Sequence, residues 1–491
     1  MRIAQFRHII SLMLVCPCVG AFVTLDRAVR IALASLVCVV LGGVVATAAA
    51  DDTRLADAAE HKDHAAIQQL LRQRANVNGR QADGGTALQW AAHWDDLDTA
   101  DRLIKAGADV NTANEYGVTA LSLACVNGDA DIAERLLAAG ANANAALQTG
   151  ETVLMTASRT GNVRIVRALL AKGAKPSATD KIQGQSALMW AAAQGHAEVV
   201  EILLESGADP RARSATGFTP LLFAARNGSV DSARALLDKG ALINEAAPDG
   251  STPLLVAVAS AQEAVARLLL DRGADPNLSS DIGYTPLHAT VWKPSAKEGL
   301  FRPDGSPALV EALLAHGAKI EARISKDPPA VAGSYFFQLG LVGATPYWLA
   351  AKAADVNVMR VLAKNGADVN AANKGGVTPL MVASGSGQTQ GLGSVPEAAL
   401  LEAVRTAIEL GGTVNASNTA GQNAAHAAAG LGFDRILKLL AEHGANLNAR
   451  DKRGQTPLQI AQARNATQTV LLLKSLGAEA ATAPATAPKQ R

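Results

Sequence analysis

Side chains that could bind a metal ion or attack a substrate are few in this sequence and are scattered along it. His61 and His64 are three residues apart, a spacing that lets two imidazoles on one helix reach one metal ion, but no third ligand lies nearby. We find no glycine-rich phosphate loop, nucleophile elbow or paired-glycine cofactor pattern. The residue types therefore predict no catalysis, no cofactor and no metal site, and they favour a function in binding.

Cysteine chemistry is equally limited. Three of the four cysteines (Cys16, Cys18 and Cys38) fall within the first 50 residues, and Cys125 stands alone in the remainder. A lone thiol cannot form an intramolecular disulfide, so none is expected in that part of the chain. Cys125 takes the place of an alanine in a helical segment, which predicts that it packs as a small buried hydrophobic residue.

The charge of the chain is nearly balanced, with 45 lysine and arginine residues against 44 aspartate and glutamate residues. Nucleic-acid binding would require a basic patch or stripe, and the sequence has none. We therefore expect a protein partner and no nucleic acid, and we expect the protein itself to be a monomer.

One sequence unit recurs through most of the chain: a Thr-Pro-Leu-like triplet, two helical segments, then Gly-Ala-Asp/Asn and an Asn-rich turn. The spacing is 33 residues except for steps of 34, 60 and 45. The triplet begins at Thr86, Thr119, Thr152, Ser186, Thr219, Thr252, Thr285, Thr345, Thr378, Asn423 and Thr456, and Thr53 begins a degenerate first copy. About twelve copies at a fixed period predict a solenoid in which each unit packs against its neighbours.

The residues of one unit predict two helices. Threonine can cap the first turn, and proline at the next position loses nothing because its missing N–H would be unpaired there. In the second helix the apolar residues Val166, Leu169 and Leu170 fall on one stripe, and Gly173 follows as a left-handed cap. The pattern predicts an all-α fold built from helix-turn-helix units.

Residues 217–221 (GFTPL), 284–289 (YTPLHA) and 366–371 (GADVNA) carry the signature most fully, and the unit resembles the ankyrin repeat over about residues 53–478. The resemblance implies an α-solenoid of stacked helix-turn-helix repeats with β-turn fingers. It also implies a non-catalytic scaffold that binds other proteins on its concave side. In such a repeat His288 and His426 occupy the motif histidine position, where a hydrogen bond to the capping residue is the ordinary role.

The first 50 residues form a different kind of segment. Arg27 and Arg30 precede an apolar run over 31–45, and three alanines then precede Asp51. This is the pattern of a bacterial-type secretory signal, so we expect export to the periplasm or beyond and a mature chain that starts near Asp51. A second apolar stretch over 9–25 leaves two alternatives open: a start site nearer Val29, or a retained membrane anchor that would make the protein a membrane-anchored adaptor.

The predicted organisation is therefore a leader over 1–50, a repeat array over 51–478 and a disordered Ala/Pro tail over 479–491. The longer steps place insertions near 293–307 between two helices, near 324–343 in the following finger and near 384–396 between two helices. Insertions confined to loops leave the stacking intact and often decorate a binding face. Neutral growth of the loops is the alternative, and an enzyme site built from the insertions is a further one.

Aromatic residues concentrate at the first of these insertions, where eight of the chain's 17 fall within 284–348. We therefore predict a partner-binding site there, since large aromatic side chains dominate interface energetics. It comprises Tyr284, Trp292, Lys293, Phe301, Arg302, Tyr335, Phe336, Phe337, Tyr347 and Trp348.

Binding and packing give opposite forecasts for these aromatic residues. If they bind a partner, Trp292→Ala and Phe301→Ala weaken binding at least about tenfold and leave the melting midpoint nearly unchanged. If they instead form a satellite core, in which Phe336, Phe337, Tyr347 and Trp348 pack the long finger against the array, stability falls and affinity changes only in proportion. Trp90 and Trp190 share one repeat position, which predicts packing on the inner face of the array.

Overall fold

The computed structural model describes residues 52–292, 306–327, 340–387 and 395–479, which all belong to one compact unit, Asp52–Arg491. Within these ranges the chain forms 24 helices and no β-strand. Successive helices form pairs, and the pairs stack. The predicted all-α solenoid of helix-turn-helix repeats is confirmed.

The first helices of the pairs carry odd numbers: α1 (Arg54–Glu60), α3 (Ala87–His93), α5 (Ala120–Asn127), α7 (Val153–Thr160), α9 (Ala187–Gln194), α11 (Pro220–Asn227), α13 (Pro253–Ala259), α15 (Pro286–Ala289), α17 (Pro346–Ala353), α19 (Pro379–Ala383), α21 (Ala424–Leu431) and α23 (Pro457–Ala463). The second helices carry even numbers: α2 (His64–Arg72), α4 (Leu97–Lys105), α6 (Ala130–Ala138), α8 (Val163–Ala171), α10 (Ala197–Glu205), α12 (Val230–Asp238), α14 (Glu263–Asp271), α16 (Pro307–Ala315), α18 (Val356–Lys364), α20 (Glu397–Glu409), α22 (Asp434–Glu442) and α24 (Thr467–Ser475). First helices pack against first helices, and second helices against second helices, so the array has two layers.

Side-chain caps start the first helices. Thr86 Oγ1 accepts the N–H of Gln89, and Thr219 Oγ1 accepts that of Leu222 in the same way. Pro220 then occupies the first helical position, as predicted from its missing N–H. Thr53, in the degenerate first copy, makes no capping bond from its side chain.

The second helices bury one stripe and end at glycine. In α8, Val166 and Leu169 are 0% exposed. Gly173 and Gly207 follow their helices with φ of 83° and 86°, a left-handed backbone that glycine adopts at low cost. Both features agree with the sequence prediction.

The loop before each first helix projects as a finger, and the fingers are joined by backbone hydrogen bonds. The N–H of Lys181 donates to the carbonyl of Thr149 at 2.8 Å, and the N–H of Ala215 donates to that of Gln183 at 2.7 Å. The same bond joins later fingers, as in Asp281 to Asp249 at 2.9 Å. Pro248 occupies the equivalent donor position in the finger before α13, and it has no N–H to give.

A second series of bonds follows the turn after each second helix. Asn111 donates from Nδ2 to the carbonyl of Gly140 at 3.1 Å and accepts the N–H of Asn142 at 2.7 Å. Both bonds recur at Asn78, Asn144, Asn277, Asn370, Asn415 and Asn448. Ser177 and Arg211 occupy this position in two central repeats. Arg211 keeps the bond to a glycine carbonyl, but a guanidinium offers no acceptor.

Small residues line the contact between neighbouring first helices. Ala191, Ala192, Ala224 and Ala225 are all 0% exposed, which lets the helices approach closely. Cys125 is also fully buried, and burial raises the pKa of its thiol to about 12, so it packs as the predicted small hydrophobic residue.

The two irregular pairs coincide with the long steps of the sequence period. Helix α15 has four residues and α19 has five, whereas α20 extends to 13. Residues 293–305, 328–339 and 388–394, which hold most of the predicted insertions, lie outside the described residues, as do the predicted leader and almost all of the tail. In the ranges that are described, no helix is long and apolar enough to cross a bilayer.

Candidate functional site

Tyr284 and Trp292, two of the predicted partner contacts, flank the short helix α15 and are buried. Tyr284 is 3% exposed and Trp292 is 1% exposed. The Tyr284 hydroxyl donates to the carbonyl of Trp292, and the two rings meet edge to face with centroids 5.3 Å apart. The two rings therefore pack together where other first helices continue for another turn.

Tyr347 and Trp348, two further predicted contacts, lie in α17 and are 0% exposed. The indole N–H of Trp348 donates to the carbonyl of Val377 at 2.8 Å, in the finger of the next repeat. The Tyr347 hydroxyl has no hydrogen-bond partner among the described residues, and burial raises its pKa. Both side chains belong to the core between repeats.

These positions correct part of the sequence prediction. Tyr284, Trp292, Tyr347 and Trp348 are buried inside the array, where Tyr284 packs on Trp292 and Trp348 reaches Val377 of the next finger. Whether Phe336 and Phe337 complete a satellite core with Tyr347 and Trp348 stays a prediction, since both lie outside the described residues. The geometry presents none of the four to a partner. The other six predicted contacts lie outside the described residues, and their role stays a prediction: Lys293, Phe301, Arg302, Tyr335, Phe336 and Phe337.

The motif histidines hold the predicted structural bonds. His288 Nδ1 accepts the N–H of Thr285 at 3.2 Å, and its Nε2 lies 3.3 Å from the carbonyl of Ala344 in the next repeat. His426 makes the equivalent pair of contacts. Burial lowers the pKa of His288 to about 4, so the ring is neutral near neutral pH and joins two repeats.

A surface of a different kind lies on α7, α9, α11 and the finger before α11, and its first part is Arg159 with Trp190. The guanidinium carbon of Arg159 is 5.4 Å from the ring centroid of Trp190, and both side chains are partly exposed. Arg159 Nη2 is 3.6 Å from Glu151 Oε1, an oxygen that also accepts the Thr156 hydroxyl at 2.9 Å. Arg159 Nε and Trp190 Nε1 have no hydrogen-bond partner among the described residues.

Arg226 forms the second part, stacked on two phenylalanines. Its guanidinium carbon lies 5.2 Å from the ring centroid of Phe223 and 5.7 Å from that of Phe218. The two rings are 5.6 Å apart, and Phe218 and Arg226 are partly exposed. We call Arg159, Trp190, Phe218, Phe223 and Arg226 the arginine-aromatic surface.

The layer that carries this surface has little negative charge. The first helices from α3 to α23 contain no aspartate or glutamate. The exposed ends of the three central helices are the uncharged Thr160, Gln194 and Asn227. Glu151, which is 8% exposed, pairs with Arg159 from the preceding finger.

A second aromatic cluster, at the start of the array, is better explained by packing. Trp90 and Trp94 stack with centroids 6.2 Å apart, and Lys62 Nζ lies 4.2 Å from the Trp94 ring. Trp90 donates to the side chain of Gln81, and Trp94 donates to the carbonyl of Glu60. Because both indole N–H groups are bonded within the array, the cluster joins the first two repeats.

His64, one of the two closely spaced histidines of the sequence, lies beside a carboxylate and a hydroxyl group of the next repeat. His64 Nδ1 lies 3.4 Å from Asp96 Oδ2 and 3.4 Å from the hydroxyl of Thr99. Across the part of the chain that the structure describes, no three histidine, cysteine, aspartate or glutamate side chains form a group that could hold a metal ion.

Family comparison supports the repeat assignment made from these contacts. A family model described as ankyrin repeats (three copies) matches residues 55–146, 137–214, 206–280 and 397–482, more than half of the chain. The chain belongs to the ankyrin repeat family. A single ankyrin repeat model also matches residues 342–374 of this ankyrin repeat protein. The matches leave out 281–341 and 375–396, where the period is interrupted.

Individual relatives match in part. The ankyrin repeat chain is 32% identical over 115 residues to XBAT35 of Arabidopsis thaliana, which carries an E3 ubiquitin-protein ligase name; the match covers 23% of this chain and 22% of XBAT35. The crystal structure of the human ASB11 ankyrin repeat domain matches with a TM-score of 0.41 and 29% identity, over 50% of this chain and 99% of that one. The chain thus spans about a fifth of the length of XBAT35.

The arginine-aromatic surface was not predicted from the sequence, although a signal for it exists. Arg159 and Arg226 each lie seven residues after a capping threonine, and Trp190 and Phe223 each lie four residues after a cap. These two positions are adjacent on a helix surface because they are three residues apart in the repeat. Comparing such positions across the repeats would have identified the surface.

Proposed function

We propose that this chain is a non-catalytic protein-protein interaction scaffold whose twelve helix pairs are twelve ankyrin repeats. Ankyrin repeats imply a protein-binding scaffold, and the proposal adds where the partner binds: on the layer of first helices, as the concave face. The arginine-aromatic surface carries this proposal. Tryptophan and arginine are the residues most enriched at interface hot spots, and here both are partly exposed side by side.

The first insertion is a second proposed contact. Phe301 and the run 335–337 lie outside the described residues, and two of their sequence neighbours, Tyr284 and Trp292, are core residues. Phe301→Ala should weaken partner binding about tenfold, or about 1.4 kcal/mol, without changing the melting midpoint. A lowered midpoint with normal affinity would make Phe301 a packing residue.

We also propose that the scaffold is exported and acts in the periplasm or outside the cell. The support is the charged, apolar and small-residue pattern before Asp51. N-terminal sequencing of the protein from its native cells should find a chain that starts near Asp51. An intact leader on a membrane-bound protein would instead favour the membrane-anchored adaptor.

Site-specific photo-cross-linking tests the proposed face. Gln194 is the exposed last residue of α9, and Glu198 is exposed at the start of α10, in the other layer. A photoreactive benzoylphenylalanine replaces each residue in turn in the full chain, and the protein is irradiated in its native cells. The two positions form a matched pair, because both are exposed in the same repeat and they differ in the helix layer that carries them.

We expect a discrete protein adduct from position 194 and a much weaker one from position 198. The adduct should disappear when Trp190→Ala is added, provided that the variant keeps its helical circular dichroism. Adducts from position 198 alone would place the partner on the second-helix layer. No adduct from either position would contradict a scaffold that binds through this part of the array.

A further inference from the structure

The loops between successive helix pairs are joined to one another at two places, and both joins are incomplete in the centre of the array. In most of the described array a backbone bond joins neighbouring fingers, and an asparagine side chain joins neighbouring turns, as Asn111 does with Asn142. The incomplete joins lie across two successive helix pairs, α9 with α10 and α11 with α12. The bonding pattern therefore changes at two adjacent repeats.

Across α9 and α10, the join between the turns is missing. Ser177 stands at the asparagine position of the loop before α9, and its side chain bonds to no described residue. The finger bond is kept, because the N–H of Ala215 donates to the carbonyl of Gln183 at 2.7 Å. One of the two joins therefore remains at this repeat.

Across α11 and α12, the finger bond is missing and the join between the turns is half made. Pro248 lies four residues before the cap Thr252, where other fingers present an N–H, so it gives none to the carbonyl of Thr216. Arg211 donates to a glycine carbonyl, but its guanidinium cannot accept the N–H of Leu242 as an asparagine would. Among the described residues, no backbone hydrogen bond joins the two loops of this repeat.

The turns that flank the two repeats also lack an internal bond. In the loop between them, Asp209 accepts the N–H of Arg211 at 2.8 Å. Lys175 and Leu242 stand at the aspartate position in the loops before α9 and after α12, and neither side chain can accept a hydrogen bond. Each of these two turns therefore has one bond fewer to fix its shape.

Side chains take the place of the missing backbone bonds across α11 and α12. Arg211 Nε donates to a carbonyl of the next loop at 2.7 Å, and Arg213 Nη2 lies 2.6 Å from Glu245 Oε1. The ring of Pro248 lies over Gly217, where a Cβ would be 2.6 Å from the proline Cδ. A ring contact is not directional, and an exposed ion pair is weakened by salt. The two loops therefore stay in contact without being fixed in one geometry.

The helix layers continue through the same two repeats. Ala192 and Ala225 in the first helices, and Leu203 and Leu236 in the second, are all 0% exposed. Packed helices can slide past one another by small amounts. The array can therefore change its curvature here without exposing its core.

We propose that the repeats α9–α10 and α11–α12, with the loops over 175–248, form a bending joint that Arg211 and Arg213 brace. We call this region the central joint. Its neighbours are held by the regular series of loop bonds, so the curvature of the array changes mainly at the central joint. Trp190 lies on α9 and Phe223 on α11, so bending reshapes the face on which the scaffold proposal places the partner. The bending itself does not depend on that proposal.

Distance measurements between spin labels test the proposal on the full chain. Arg72, Ala171 and Asp271 are the exposed last residues of α2, α8 and α14. A bio-orthogonal nitroxide replaces two of them at a time, and double electron–electron resonance gives the distribution of distances. The 171–271 pair spans the central joint, and the 72–171 pair is its matched control, because it also spans three repeats but crosses the asparagine bonds of Asn78 and Asn111.

We expect the 171–271 distribution to be at least about twice as wide as the 72–171 distribution. Pro248→Ala supplies the N–H that the Thr216 carbonyl lacks and should narrow the 171–271 distribution alone. Pro210→Ala is the control, because it removes a proline from the same joint without adding a finger donor, and it should give no narrowing. Ser177→Asn restores the other join and should narrow the 171–271 distribution independently of Pro248→Ala.

The brace has its own variants. Arg213→Gln removes the pair with Glu245 and should widen the 171–271 distribution further. Arg234→Gln is the control, since its partner Asp231 lies on the same helix, and it should leave the distribution unchanged. Raising the salt from about 50 mM to 1 M should widen the distribution of the original chain and have little effect on Arg213→Gln.

Equal widths for the two label pairs would overturn the proposal. So would folded Pro248→Ala and Ser177→Asn variants that both leave the 171–271 distribution as wide as before. Equal widening by Arg213→Gln and Arg234→Gln would contradict the role of Arg213 as a brace. The scaffold function is tested separately by the cross-link from position 194, so either proposal can fail while the other stands.

Discussion

At the scale of single residues, one inter-repeat hydrogen bond is made by several different side chains. Gln89 donates to the carbonyl of Val118, and Trp348 makes the equivalent bond to Val377. His288 and His426 hold the same position in their repeats. The bond therefore needs an N–H donor of sufficient reach and not an imidazole. Five repeats have no such donor at this position, which is occupied there by Met155, Met189, Leu222, Leu255 and Met381. The resemblance predicted a bond from the two histidines to their capping residues and not this bond between repeats, and Trp348 was predicted to contact a partner.

Burial of His288 predicts that the free energy of unfolding decreases at acid pH. Burial lowers the pKa of His288 to about 4, below the 6.5 of an exposed histidine, so the unfolded chain binds more protons in that window. The stabilisation is complete above about pH 6.5 and is lost as the pH falls toward 4, by up to about 3 kcal/mol. His288→Gln, which copies Gln89, should keep the bonds and flatten the pH dependence of the urea midpoint between pH 4 and 6.5. An unchanged pH profile would mean that His288 does not control it.

Trp292 gives a second residue-scale prediction. Its side chain is 1% exposed and packs edge to face against Tyr284, so Trp292→Ala leaves a cavity. The expected cost is about 3–5 kcal/mol of unfolding free energy, measured by urea denaturation. Tyr116→Ala is a control, because Tyr116 is an aromatic residue that is 44% exposed. A stable Trp292→Ala variant with weakened partner binding would restore the direct-contact interpretation.

For the aromatic residues, the sequence does not determine which side chains are buried and which are exposed. An excess of aromatics around Trp292 and Trp348 indicates a local specialisation, but the same excess occurs in cores and in interfaces. Whether a ring is buried depends on the side of the helix that carries it and on residues contributed by neighbouring repeats. Trp348, for example, bonds to Val377 of the next repeat. The cation–π contacts also join residues from different parts of the fold: Arg159 contacts Trp190 of the next repeat, and Arg226 contacts Phe218 of the preceding finger.

At the scale of elements, the helices were predictable because their signals are local. A threonine cap, a following proline and a terminal glycine all act within a few residues, as at Thr219, Pro220 and Gly228. The hydrogen bonds between repeats were not predicted. They join residues about 30 positions apart, such as Asn111 with Asn142, and they depend on how the units stack.

The asparagine series allows a gain-of-stability test. Ser177 stands where Asn144 and six other asparagines make two bonds, so Ser177→Asn should add a bond to the carbonyl of Gly207 and accept the N–H of Asp209. The expected gain is about 1 kcal/mol, read from urea denaturation. The reciprocal change, Asn144→Ser, removes bonds of 2.9 Å to the Gly173 carbonyl and from the Lys175 N–H and should lose a similar amount. Equal stability of all three proteins would show that these exposed bonds contribute little.

At the scale of the whole molecule, each repeat packs mainly against its neighbours, so stability should be distributed along the array. The period in the sequence predicted this arrangement and its two interruptions. It did not predict that the central repeats lack part of the regular bonding, at Ser177 and at Pro248. The arginine-aromatic surface lies in this same central part, on α7, α9 and α11.

Local strain should therefore loosen the array locally. Gly207 has φ of 86° and a Cβ there would meet no atom within 4 Å, so Gly207→Val costs about 1 kcal/mol or more through the backbone alone. Hydrogen exchange should accelerate in α9 to α12 and stay unchanged in α21 to α24. Uniform acceleration through all helices would show a single cooperative unit instead.

The measurement that tests the binding face most directly is hydroxyl-radical footprinting of the full chain with and without the partner captured at position 194. Trp190 and Trp94 are both partly exposed tryptophans, and they lie in different parts of the first-helix layer. If the partner binds the arginine-aromatic surface, oxidation of Trp190 falls at least about fivefold in the complex while oxidation of Trp94 is unchanged. Unchanged oxidation of Trp190 in a saturated complex would contradict binding at this surface.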